Sequence, residues 1–253
     1  MVSKRGQLTI FIIIGILILA IVGVLLFLVK DNTIKDLEEN TVKPSSGKEE
    51  LQFFLEGCLK DITQEAIIFN SVQGGYYEVP SPNMEYSWFK IPYYFEQEVL
   101  EIPKLENVET ELEKFIEENI VICLRELSSS RNVSISGIKI QTVVSSQSVI
   151  TILDLPLVLY VGEEAIEMKQ FRVEVPVELG RAIEIIEKII EEQKKFPNYI
   201  RMSYITELAE EESIFIDLRH LENEVVYSLR FPKSEINDNL YVFSFVIKYN
   251  WIK

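Results

Sequence analysis

LTIFIIIGILILAIVGVLLFLV, Leu8 to Val29, holds 22 residues and no charge. As a helix rising ~1.5 Å per residue it spans about 33 Å, close to the ~30 Å hydrocarbon core of a bilayer. A secretory signal core is shorter, about 7–15 residues, and ends at a small-residue cleavage site. Here Val29-Lys30-Asp31-Asn32 follows instead. A core helix is rarely apolar on every face over such a length. The stretch therefore reads as a retained transmembrane helix that contacts the lipid bilayer. Lys4 and Arg5 flank it on one side, Lys30 and Lys35 on the other. A short basic N-terminus kept inside, with the long acidic part translocated, is the simpler arrangement. The reading is a single-pass protein of the cell membrane with its C-terminal domain extracytoplasmic.

The residues before the apolar run are Lys4-Arg5-Gly6-Gln7-Leu8-Thr9. Together with the Ile-rich helix they resemble the class III signal sequence of archaeal type IV pilin-like proteins and the start of archaeal surface proteins. The resemblance covers residues 4–29. It implies that a prepilin peptidase cuts after Gly6 and leaves Gln7 as the new N-terminus. The apolar helix is then kept as an anchor and, in a filament, as a packing core. Many filament-forming pilins carry glutamate at the fifth mature position. Phe11 stands there in this chain, which argues against a major filament protein.

Residues 31–253 carry all 40 acidic residues against 22 of the 25 Lys and Arg, a net charge of −18. Such a charge opposes binding to nucleic acid, which depends on neutralising phosphates. Two cysteines and one histidine leave too few ligands for a four-coordinate zinc site. The reading contains no metal and no cofactor.

Residues 30–48 are polar, with Pro44-Ser45-Ser46-Gly47 near their end, and read as a stalk. The domain then runs over residues 49–253. Leu51, Phe54, Leu55, Cys58, Ile62, Ala66 and Phe69 recur at helical spacing and predict a first helix over Glu49–Val72. Gln73-Gly74-Gly75 ends it. Tyr76–Lys104 holds four prolines among many aromatics and predicts a long loop with short extended pieces. A second helix spans Glu106–Leu127. Cys58 and Cys123 lie on the apolar faces of these two helices. A disulfide between them would close a loop of about 65 residues and stabilise by ~2–4 kcal/mol. Otherwise both are small apolar core residues. The extracytoplasmic compartment favours the disulfide.

From Arg131 the period changes to two. Strands are predicted over Val133–Val144 (one or two), Ser148–Leu153, Leu157–Val161 and Gln170–Val177, turning at Ser145-Ser146-Gln147 and Gly162-Glu163-Glu164. Helices over Gly180–Lys195 and from Pro197 to Glu211 follow. Strands over Ser213–Leu218, Val225–Phe231 and Leu240–Trp251 end the chain. This is one α+β domain, helices packed on antiparallel sheet.

No nucleophile, phosphate-loop or zinc-protease motif occurs. His220 stands alone at a strand end and reads as a surface or packed residue. Glu163-Glu164 and Glu210-Glu211-Glu212 are acid runs in an acidic chain and select no catalytic pair. Tyr76, Tyr77, Trp88, Tyr93 and Tyr94 gather after the glycine turn. They serve either as core anchors of a loop or as a recognition surface for a partner or glycan. Asn132-Val133-Ser134 is an N-glycosylation triplet. The expected function is a non-enzymatic, membrane-anchored archaeal surface protein for envelope structure, adhesion or cell–cell contact. Its partners would be envelope or pilus proteins or further copies of itself. The alternative is a minor pilin-like subunit assembling through Leu8–Val29. A lesser one is an ectoenzyme or solute-binding module.

Overall fold

The computed structural model describes residues 47–96, 99–162 and 164–249. The processing site (Gly6, Gln7), the membrane run Leu8–Val29 and the stalk up to residue 46 lie outside these residues. So do Glu163 and the tail from residue 250. The chain divides into two units, Met1–Glu49 and Glu50–Lys253. The second is an α+β domain whose described residues form four helices and ten strands. Among the described residues no helix is long and apolar enough to cross a membrane.

Helix α1, Gly47–Val72, buries Leu51, Leu55, Leu59, Ile62 and Ala66 along one stripe, as three- and four-residue spacing requires. It begins two residues inside the stretch expected as stalk. Helix α2, Leu105–Ser130, buries Val108, Leu112, Ile116, Ile120 and Cys123. The two run antiparallel. Phe69 meets Phe115, Cys58 meets Cys123, and Glu50 pairs with Arg131, so each step up one helix is a step down the other. Helices α3, Leu179–Lys195, and α4, Met202–Glu211, form a second antiparallel pair. Glu192 meets Arg201 at one end and Arg181 meets Glu212 at the other.

The smaller sheet holds β4 (Val133–Ile135), β5 (Lys139–Val144), β6 (Ser148–Val161) and β7 (Glu164–Pro176). β4 and β5 lie end to end along one side of β6, and β7 lies along the other, all antiparallel. Ile140, Thr142 and Val144 point inward while Lys139, Gln141 and Val143 point out, the alternation of a sheet with one wet face. The strands expected over Ser148–Leu153 and Leu157–Val161 are one strand, with a register shift between Asp154 and Leu157. β7 starts at Glu164, well before Gln170.

The larger sheet has the order β1 (Asn83–Tyr86), β2 (Phe89–Glu96), β10 (Asn239–Lys248), β9 (Glu224–Ile236), β8 (Phe215–Leu221), with β3 (Val99–Leu100) also on β2. All its pairs are antiparallel except β2 with β10, which is parallel. Over Tyr76–Lys104 the expectation is a long loop with short extended pieces; β1 and β3 are such pieces, and the eight-residue β2 is the departure. That segment supplies three strands, and β2 is buried from Ile91 to Phe95. Pro92 is tolerated because pairing with β10 begins one residue later, at Tyr93, so no rung is lost on that side. The register slips between Val246 and Ile247, and Tyr94 and Phe95 both reach the core. Phe245 stacks between Tyr94 and Tyr227 at 5.0 Å on each side, which ties three strands together. One buried cluster joins α1, α2, α3 and the inner faces of both sheets.

Several polar groups fix how these parts meet. The Tyr94 hydroxyl donates to the Gly74 carbonyl at 2.7 Å, and the Gly75 N–H donates to Asn70 O at 2.7 Å. Gly74 has φ +63°, and a Cβ there would lie 2.5 Å from Pro92 Cγ. Glu111 accepts the Tyr77 and Glu78 N–H groups at 3.0 and 2.9 Å. On another side of α2, Glu113 accepts the Thr142 N–H at 2.7 Å and Glu109 the Val144 N–H at 2.8 Å. The open edge of β5 is thereby closed by a helix.

Gly74→Ala combines a left-handed backbone with a clash against Pro92. It should lower stability by about 2–4 kcal/mol, read as a drop in urea midpoint without loss of cooperativity. A second prediction concerns acid. Hydrogen bonds from Lys188 and Arg181 hold the Glu212 carboxyl below its ordinary value of 4.5, and a hydrogen bond from Lys195 does the same for Glu192. A pKa lower in the folded than in the unfolded chain adds stability above the unfolded value, and that stability is lost as pH falls through the folded one. Urea midpoints should therefore hold steady near neutrality and fall below pH 4.5. Glu212→Gln should flatten part of that fall.

Candidate functional site

The larger sheet turns one face to the core and the other away from it. On the outer face, residues in register form rows. One row is Phe215–Arg230–Val242 and the next is Asp217–Ser228–Ser244. The third is Arg219–Val226–Val246–Tyr93 and the fourth is Leu221–Glu224–Lys248–Glu96. Strand alternation alone sets this order, since every second side chain points outward. Met84 and Ile91 of the β1–β2 hairpin close a small apolar cluster with Val226, Val246 and Tyr93. The Tyr93 hydroxyl donates to Glu224 at 2.6 Å; burial first, and then this bond, raise its pKa. Lys248 bonds Glu96 at 2.7 Å and stands 5.1 Å over the Tyr93 ring.

Beside this cluster the face sinks into a groove of about 450 Å³. Tyr86 and Phe89 of the hairpin wall one side, and Asp217 and Arg219 of β8 the other. Ser228 and Ser244 line it as well, with their hydroxyls 3.1 Å apart. Arg219 reaches across, bonding the Tyr86 hydroxyl and standing 5.6 Å over its ring. Asp217 pairs with Arg230 at 2.6 Å. At the hairpin turn Trp88 is 83% exposed, its ring edge-on to Phe89 at 5.7 Å. Aromatic faces, hydroxyls, a carboxylate and a guanidinium thus converge on one concavity. That set suits a ligand held by stacking and hydrogen bonds. Among the described residues no cluster of three or more His, Cys, Asp or Glu is placed to hold a metal ion.

The five aromatics singled out in the sequence do not share one surface. Tyr94 is fully buried and Tyr93 nearly so. Tyr76 packs against the core as a half-buried residue, and burial is the main cause of its raised pKa. Tyr77 packs on Phe69 and Phe115, with its hydroxyl donating to Glu118 at 2.6 Å. Only Trp88 stands free of the core. Cys58 and Cys123 lie at disulfide-bonding distance, their Cα atoms 6.5 Å apart. Asn132 is exposed in the link between α2 and β4, a position open to a glycan. His220 lies on β8 opposite Val225. Glu212, from the acid run, is engaged by Arg181 and Lys188. Of the groove residues, Tyr86 and Phe89 belong to the aromatic stretch that the sequence offers as a recognition surface, whereas Asp217, Arg219, Ser228 and Ser244 escaped the sequence. The available signal was the small polar residues Ser228 and Ser244 inside otherwise apolar strands.

Arg219→Ala should open the groove and leave the fold intact. An exposed cation–π and hydrogen-bond contact contributes under about 1 kcal/mol, so melting should shift by no more than roughly 4 °C. A larger shift in calorimetry would make Arg219 a support of the fold rather than a groove residue. Comparison of the sequence with family models and curated proteins, and of the fold with solved structures, finds no match.

Proposed function

We propose that this chain is a single-pass, membrane-anchored archaeal surface protein. Leu8–Val29 holds it in the bilayer with the N-terminus inside, and the acidic α+β domain works outside. Its task is envelope structure, adhesion or cell–cell contact, with the aromatic groove as its means of recognition and no reaction catalysed. The observation that carries the reading is the meeting of Cys58 with Cys123. A chain with only two cysteines brings both to disulfide-bonding distance, which suits an oxidising exterior. The uncharged 22-residue run supports the same side of the membrane. Lys4-Arg5-Gly6-Gln7 favours a second reading, a minor pilin-like subunit that assembles through the same helix after cleavage at Gly6.

One mass-spectrometric experiment tests both. The protein is taken from its native membranes and digested without reduction. The expected result is a Cys58 peptide linked to the Cys123 peptide and an N-terminal peptide that retains the apolar run. A start at Gln7 selects the pilin-like branch, and a start at Met1 or Val2 selects the plain anchor. A start beyond Val29, or two thiols open to alkylation in the folded protein, overturns the proposal.

A further inference from the structure

The lining of the groove walled by Tyr86 and Phe89 narrows the chemistry of what it takes. Its two charged side chains are already engaged within the chain. Asp217 pairs with Arg230, and Arg219 bonds the Tyr86 hydroxyl and stands over that ring. One carboxylate and one guanidinium also cancel, so the lining is neutral in a chain of net charge −15. An ionic ligand meets both signs there and no unspent counter-charge.

What the groove still offers is of two kinds. The half-buried rings of Tyr86 and Phe89 supply apolar wall. Ser228 and Ser244 stand opposite one another on β9 and β10, with their hydroxyls 3.1 Å apart. A hydroxyl donates one hydrogen bond and accepts two. The bond between the two serines uses one of their O–H groups and leaves the other to donate, with lone pairs to accept. Ser244 is itself 7% exposed, so a ligand that covers it without bonding leaves a buried hydroxyl unpaired, at a cost. A lipid tail does that. A peptide strand needs a row of backbone groups, and the strands beneath the groove spend theirs on each other. A neutral sugar answers both kinds of lining. Its C–H faces pack on aromatic rings, and its hydroxyls give and take bonds with the serines.

We propose, resting on the reading of the groove as the domain's means of recognition, that it binds a neutral saccharide of a surface glycan. One sugar ring packs against Phe89 and Tyr86 and bonds Ser228 and Ser244. The volume of about 450 Å³ falls within the ~300–1,000 Å³ of small-molecule sites. Trp88, 83% exposed and edge-on to Phe89, continues the aromatic wall toward solvent, so a second sugar unit has a ring to lie on.

The test uses the full chain in a detergent without a sugar headgroup, applied to an array of neutral, acidic and sulfated oligosaccharides. Wild type should be retained by neutral ones. Phe89→Leu keeps apolar bulk but removes the flat ring and should weaken that binding about tenfold. Ser244→Ala should weaken it about threefold or more. Phe53→Leu, at an exposed aromatic on α1, should bind as wild type does. Melting curves establish that each variant is folded. A folded wild type that binds no neutral oligosaccharide overturns the proposal. So does binding confined to acidic or sulfated oligosaccharides, or neutral binding that survives both Phe89→Leu and Ser244→Ala. A failure on the array with the Cys58–Cys123 peptides linked strikes the saccharide alone, whereas open thiols or a start beyond Val29 strike the placement outside the membrane.

Discussion

Backbone N–H groups captured by glutamates of α2 hold the domain together. Glu109 and Glu113, one turn apart, seize the edge of β5. Glu111, on another side of the same helix, seizes the chain that leaves the glycine turn. A carboxylate accepting N–H bonds is stronger than a neutral acceptor, and here it does what a neighbouring strand would do. The apolar stripe of α2 meanwhile lies along α1 and carries Cys123 to Cys58. One helix therefore joins the smaller sheet, the first helix and the loop that leads into the larger sheet. If α2 were lost, β5 would be an open edge and Tyr77 would have no seat.

Much of this was legible. The 3.6-residue and two-residue periods mark the helices and most strands to within a few residues, because burial of one face imposes them. The strand β2 was not. Its proline argues against a central strand, and the reason it is allowed there, pairing with β10 that begins at Tyr93, is a fact about a segment about 150 residues away. The glutamates of α2 were equally hidden. In a chain with 40 acidic residues, nothing local separates a carboxylate that binds backbone from one that faces water. The aromatic group split for a related reason. Tyr93 and Tyr94 are neighbours in sequence, but strand alternation sends one to the outer face and the other to the core. The groove forms from rows across strands, and rows are set by register, which sequence pattern alone leaves open.

The outer face of the larger sheet joins two kinds of surface. Toward the β1–β2 hairpin it is sheltered, with a small apolar cluster and a groove spanned by Arg219. Toward its other side it ends at β8, which carries Asp217 and Arg219. The two share residues, so β8 also borders the groove.

The parallel pair β2–β10 has a bearing on how the chain reaches its fold. β6 and its partners β4, β5 and β7 come from residues 133–176, so the smaller sheet closes from local hairpins. The larger sheet does not close until residues 246–248 return to residues 93–96. Pairing across such a separation is slow, because loop closure precedes any reward. During synthesis, β2 emerges early and waits, with Ile91, Tyr94 and Phe95 uncovered, until the last strand arrives. Premature arrest or C-terminal truncation would strand the chain with this aromatic segment exposed, which makes the order of emergence a hazard for aggregation.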